Sequence, residues 1–190
     1  MGFLMRHISF ARNPGFTGAP DLSALDGVVA SEILNAMSEA SSRLSRLNIR
    51  HGLIGGLAVG AYGVPRATKD VDFLVGDEAF VQHAGGVISI APGVPIQVGR
   101  VAVDTLSIFV GEEHLGASIS VPKNESVPVV PVSTLIYLKL KSPRAKDSSD
   151  IVELLKVGVS PQYVRNYLKK NAPVLYAKFE RLVVIAEEES

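Results

Sequence analysis

The chain has 190 residues, 47% of them hydrophobic and 20% charged, enough apolar material for a sizeable core and too much for a disordered protein. Nineteen basic residues balance nineteen acidic ones, which excludes holding long nucleic acid chiefly by phosphate neutralisation, and the absence of cysteine excludes disulfides, thiol nucleophiles and cysteine-based zinc sites. No apolar run reaches the ~18 residues that span a bilayer, and Met1 to Phe10 is too short in apolar length and charged too early for a signal peptide, so the expected location is cytoplasmic, with no membrane partner.

In chain order, residues 1–21 carry Asn13-Pro14-Gly15 and Gly18-Ala19-Pro20 and read as an irregular N-terminal arm. Ser31 to Leu47 places Ile33, Leu34, Met37, Leu44 and Leu47 at helical spacing, an amphipathic helix whose stripe is expected to pack on a sheet. His51 to Ile54 reads as a strand that Gly55-Gly56 breaks, and Leu57 to Tyr62 resumes as a helix. A strand, a glycine turn and a helix start present free backbone N–H groups to an anion, and glycines without Cβ let a phosphate approach closely. A plain turn is the ordinary alternative. Gly63 and Pro65 end that helix, after which Arg66, a candidate phosphate fork, and Thr68, a candidate hydroxyl donor, lead into Asp70-Val71-Asp72-Phe73-Leu74-Val75.

That last segment is β-branched and apolar, and alternation puts Asp70 and Asp72 on one face, with Val71, Phe73 and Val75 pointing into a core. Two carboxylates about 6.5 Å apart on a strand repel unless a cation sits between them, and oxygen ligands favour Mg²⁺ or Mn²⁺; a solvated polar strand start is the alternative. A short helix near Asp77 to Ala84 and strands near Val87 to Ile90 and Pro95 to Val98 are expected next. Val101 to Phe109 then reads as a strand with one charge, Asp104. Burying that carboxylate alone is costly, which sharing a cation with Asp70 and Asp72 would relieve; a solvated edge strand is the other reading.

The composite Gly55-Gly56-Leu57-Ala58, Gly63, Arg66, Thr68 and Asp70-Val71-Asp72 resembles the polymerase-β-like nucleotidyltransferases, with the nearest likeness to the small bacterial AbiEii-type toxins and aminoglycoside nucleotidyltransferases. The likeness extends over about residues 50–156. It implies that Gly55 and Gly56 hold a triphosphate, that Asp70, Asp72 and Asp104 bind the catalytic metals, and that Asp104 is the base. In the second half, Val129 to Lys141 looks like the segment whose helix, in such proteins, turns a lysine toward the nucleotide, and Lys139 is the matching lysine. Lys146 and Asp147, in Arg144-Ala145-Lys146-Asp147-Ser148-Ser149-Asp150, match a segment near the site. An ordinary amphipathic-helix lysine is the alternative for Lys139, and Asp147 and Asp150 also suit a helix N-terminal turn.

The resemblance implies transfer of a nucleoside monophosphate from an NTP, with Mg²⁺ or Mn²⁺, to a hydroxyl acceptor: tRNA, a protein or a small molecule. A toxin restrained by a neighbouring antitoxin is one setting it implies. A non-catalytic binding or regulatory subunit that keeps the fold is the alternative.

Ser160-Pro161 opens a further helix, Asn171 to Pro173 interrupts, and Val174 to Ala186 reads as the last helix. Positive charge gathers in the C-terminal half, from Lys139, Lys141, Arg144 and Lys146 to Lys156, Arg165, Lys169, Lys170 and Lys178, either a patch for an RNA end or triphosphate or ordinary solvated helix faces. His7, His51, His83 and His114 form no metal-ligand spacing and read as structural or surface residues. The expected architecture is α+β: a mixed sheet flanked by helices over residues 22–130, then a C-terminal helical bundle over 131–190 packed on it.

Overall fold

The computed structural model describes residues 19–190; nearly all of the arm expected over 1–21, the Met1 to Phe10 segment and His7 lie outside them. The protein is α+β, with a four-stranded mixed sheet, as the alternation of strand and helix signals requires. Strand β1 (His51–Leu53) pairs antiparallel with β2 (Asp70–Val75), β2 pairs parallel with β6 (Val101–Ser107), and β6 pairs antiparallel with β5 (Gln97–Val98). A separate hairpin, β3 (Phe80–Gln82) and β4 (Ile88–Ile90), fills the crossover that a parallel pair needs. The helix expected near Asp77 to Ala84 is a single 3-10 turn, Asp77–Ala79, running straight into β3.

Helix α1 (Ser31–Arg46) lies across β2, β5 and β6. Its contact face is narrower in sequence terms than the expected stripe: Ile33, Met37 and Leu44 are buried together with Ala36 and Ala40, whereas Leu47 lies past the helix end and is exposed. The small alanines let the helix approach the sheet closely. Under that helix His51 is fully buried. Its Nδ1 donates to the Ile49 carbonyl (2.9 Å), which leaves Nε2 to accept from the Ser41 hydroxyl (2.8 Å), and burial pushes its imidazole below the ordinary value. It is a structural histidine, as expected. His83 bonds Ser89 on the exposed hairpin.

The second edge of β1 is not open. The main chain at Ser120 bridges His51, and that at Val129 bridges Leu53, with Leu53 N–H donating to the Pro128 carbonyl at 2.7 Å. From there the chain enters α3 (Val132–Lys141), α4 (Ala145–Lys156), α5 (Pro161–Asn171) and α6 (Tyr176–Glu188). Helix α3 packs on both α4 and α5, and α6 on α4. One apolar core runs from Leu25 through Phe73 and Leu135 to Phe179 and Ala186, so the C-terminal helices share the core of the sheet. Among the described residues no helix is long and apolar enough to cross a membrane.

Candidate active site

Period-2 alternation on β2 buries Val71, Phe73 and Val75 completely and leaves Asp70 and Asp72 half-buried on the opposite face. The parallel register then sets Asp72 directly beside Asp104, about 4.8 Å away at the backbone, the usual strand spacing. Residues paired in register share a face, so all three carboxylates look the same way, onto the floor of a cavity of about 500 Å³. Strand β6 is interior, between β2 and β5, yet Asp104 itself is exposed. Asp104 is therefore not the buried charge of the first reading; it is solvated, as the alternative has it, but on the cavity face of an interior strand and not at a sheet edge.

The glycine turn abuts these carboxylates for a reason the sequence reading did not contain. Gly55 has φ +67°, a left-handed conformation, and a Cβ there would stand 1.8 Å from Asp72 Oδ2. The space left by the missing side chain is thus occupied by the Asp72 carboxylate. Helix α2 (Gly55–Ala61) starts at this point, and a Cβ on Gly56 would press on Thr68 Oγ1 at 3.2 Å. Thr68 in turn donates its hydroxyl to Asp70 Oδ1 at 2.8 Å, so its proton orients a carboxylate and does not point free into the cavity.

Burial, then the charges of Asp70 and Asp104, raise the Asp72 carboxyl to about 6 against the opposite pull of Arg144 and Lys139. Three oxygen donors forced onto one face, one of them held away from its charged form, is the donor chemistry a hard divalent cation suits. Among the described residues, no three His, Asp or Glu side chains are already closed around a common point as a metal cage. The fit therefore rests on the kind and the placement of the donors.

The cationic wall is arranged differently from expectation. Arg66 offers its fork to Asp150, Nε to Oδ1 at 3.2 Å and Nη2 to Oδ2 at 2.9 Å. Lys139 is buried and donates to Asp147 Oδ1 (2.8 Å) and Asp150 Oδ2 (2.6 Å). Both residues expected on the triphosphate are thus engaged by carboxylates. Asp147 lies in the first turn of α4, as the dipole argument expects, but it and Asp150, 3% and 5% exposed, are also members of this buried ion network. Burial would raise Asp147, but hydrogen bonds from Lys139, Ser142 and Arg144 outweigh it and hold the carboxyl at about 2.

Arg144 bonds Asp147 through Nε (2.7 Å), yet its side chain is 76% exposed, so most of its guanidinium stays open. Lys146 lines the cavity and, among the described residues, has no ion-pair partner. Lys141 pairs with Glu112, which also accepts from the Tyr137 hydroxyl. The rest of the positive patch disperses: Arg165 pairs with Glu180, Lys156 with Glu153 and Glu189, and Lys178 donates to the Leu140 and Ser142 carbonyls.

The site thus brings together Gly55, Gly56, Arg66, Thr68, Asp70, Asp72, Asp104, Lys139, Lys146 and Asp147 around one cavity. Sequence reasoning missed Glu112, Phe109 and the role of Asp150. Glu112 follows β6 in a segment without periodicity, beside Gly111, Glu113 and His114, and no local signal sets it apart from its acidic neighbour.

No family model matches the chain, and neither does any curated protein. Among solved structures, the chain is similar to an antigenic nucleotidyltransferase-like protein from Paracoccidioides brasiliensis. The two share 17% identity with a TM-score of 0.42, over 80% of this chain and 94% of that one.

Proposed function

We propose that the protein is a metal-dependent nucleotidyltransferase that moves a nucleoside monophosphate from an NTP to a hydroxyl group. The observation that carries this reading is the register pairing of Asp72 with Asp104, with Asp70 on the same face, at the floor of a cation-walled cavity. Asp70, Asp72 and Asp104 are the residues that would hold Mg²⁺ or Mn²⁺. Bound there, the cation would lower the acceptor hydroxyl's pKa and offset charge on the departing pyrophosphate.

The chain's own groups supply the rest. Asp104, the exposed carboxylate of the three, takes the proton of the acceptor hydroxyl. The freed oxygen bonds to the α-phosphorus, the bond from that phosphorus to the bridging oxygen breaks, and pyrophosphate leaves with the bridging electrons. Arg144 and Lys146 carry the phosphate charge, because their N–H groups remain open, and the first-turn N–H groups at Gly55 and Gly56 add neutral donors. Arg66 and Lys139 act one layer back, pinned by Asp150. Their network of three cations, with Arg144, and two carboxylates keeps one positive charge beside the cavity.

The test is to incubate the protein with each radiolabelled NTP, Mg²⁺ and pools of tRNA, protein and small hydroxylated acceptors, beside the Asp70→Ala, Asp72→Ala double variant. Label transfer that requires Mg²⁺ and vanishes in the variant is expected, and the labelled pool identifies the acceptor. Absence of transfer to every pool, together with absence of metal-dependent nucleotide binding, sinks the enzyme reading.

A further inference from the structure

The residues lining the cavity are of two chemical kinds: Asp70, Asp72, Asp104, Arg144 and Lys146 are charged, whereas Leu106, Phe109 and Leu138 are apolar, with the Lys141–Glu112 pair beside Phe109. A polyphosphate would satisfy the charged residues and leave the apolar ones without a partner. Phe109 is 57% exposed although it lines the cavity, and Val110 beside it is 99% exposed. Phe109 and Val110 together leave adjacent apolar surface open to solvent beside the charged residues of the cavity, surface that a ligand lying in the cavity would cover.

The ring is also positioned. The Lys141 ammonium stands over it, 5.9 Å from the ring centre, and 5.7 Å from that of Tyr137. Lys141 is pinned in turn by Glu112, a residue only 7% exposed that the Tyr137 hydroxyl also holds, at 2.5 Å. Tyr137 packs edge-on against His114 with ring centres 5.0 Å apart. A buried layer therefore fixes the cation over one side of the Phe109 ring, while the residue's exposure leaves room for a partner on the ring. A flat, apolar, polarisable surface with a fixed cation beside it matches a planar heteroaromatic ring that carries phosphate at its other end.

We infer that Phe109, with Lys141 behind it, is a nucleobase-stacking platform serving the carboxylate site. This rests on the nucleotidyltransferase reading. The base belongs either to the incoming NTP or to the terminal nucleotide of a polynucleotide acceptor. Stacking on an aromatic side chain tolerates any base, so the platform favours purines over pyrimidines only through ring area.

The chain contains no tryptophan, so Phe109→Trp installs a single tryptophan on the platform, excited selectively over the tyrosines, without altering another residue. Its emission is followed while adding, in separate arms, Mg²⁺ with ATP, Mg²⁺ with UTP, Mg²⁺ with inorganic tripolyphosphate, and a short single-stranded oligoribonucleotide. Quenching by the nucleotides and none by tripolyphosphate assigns the base to the NTP; quenching by the oligoribonucleotide alone assigns it to the acceptor. In a second measurement, calorimetry on the exposed-site variant Phe109→Ala is expected to show the responding ligand bound about 5- to 150-fold more weakly, the cost of one lost stack, with tripolyphosphate affinity unchanged. Emission unmoved by every base-bearing ligand, or equal affinities in wild type and Phe109→Ala, overturns the platform, including the case in which the exposed ring serves a protein contact. Failure of the carboxylate reading has a separate signature: tripolyphosphate with Mg²⁺ then binds the wild type no better than it binds the Asp70→Ala, Asp72→Ala variant.

Discussion

Replacing Asp72 by asparagine keeps the shape of the side chain against Gly55 and deletes only its charge, so it isolates the electrostatic strain in the site. The folded-state carboxyl is raised from 3.8 to about 6 by burial, then by Asp70 and Asp104. In the folded protein Asp72 keeps a proton that the unfolded chain has already released, so folding stability falls as pH rises through the window from about 4 to about 6. The difference of about two pKa units corresponds to ~3 kcal/mol at 1.36 kcal/mol per unit. Urea denaturation in the presence of a chelator is the assay. Near pH 4 the wild type and Asp72→Asn are expected to unfold together; above pH 6 the variant should be more stable by ~3 kcal/mol, a midpoint shift of about 1–1.5 M if the slope is about 2–3 kcal/mol/M. Adding Mg²⁺ should then raise the wild-type midpoint, by up to ~2.7 kcal/mol at a hundred times its dissociation constant, and leave the variant nearly unmoved. A gap between the two proteins that stays constant from pH 4 to 8, or that narrows with rising pH, would refute the repulsion argument.

Gly55→Ala is expected to destabilise the fold by at least about 1–2 kcal/mol, from the left-handed backbone alone, and to abolish the Mg²⁺-induced rise in melting temperature, because the new methyl must displace the Asp72 carboxylate. Lys139→Met leaves Asp147 and Asp150 buried without their shared cation and should cost about 3–5 kcal/mol, whereas Arg43→Met, which breaks an exposed i,i+4 pair with Glu39, should cost about 0.3–0.5 kcal/mol; paired urea titrations separate the two. Asp147, held at about 2 against the effect of burial by Lys139, Ser142 and Arg144, contributes stability that is present above the ordinary carboxylate value and is lost as pH falls through about 4 to about 2. Acid unfolding of Asp147→Asn followed by circular dichroism should accordingly be less steep over that window than in the wild type.

The elements that a period of two or 3.6 can mark were legible: α1 and β2 form, and Asp70 and Asp72 share the face that alternation assigned them, whereas the placement of Asp104 beside them follows from the β2–β6 register. What decides partners was not. Arg66 meets Asp150 across 84 positions of sequence, and no local pattern distinguishes an arginine destined for a carboxylate from one left open to a phosphate. The same holds for Lys139, whose spacing matched a nucleotide contact but whose burial among two carboxylates follows from how α4 packs on α3. Gly55 shows the complementary effect, since the residue type was read correctly while its reason, room for Asp72, depends on a strand fifteen residues on. A count of basic residues near a candidate site in sequence therefore overstates the cations on offer, because carboxylates compete for them. Here carboxylates engage Arg66 and Lys139, Lys146 and most of the Arg144 guanidinium stay open in the cavity wall, and three carboxylates share one face of the floor, the condition under which a divalent cation gains by binding.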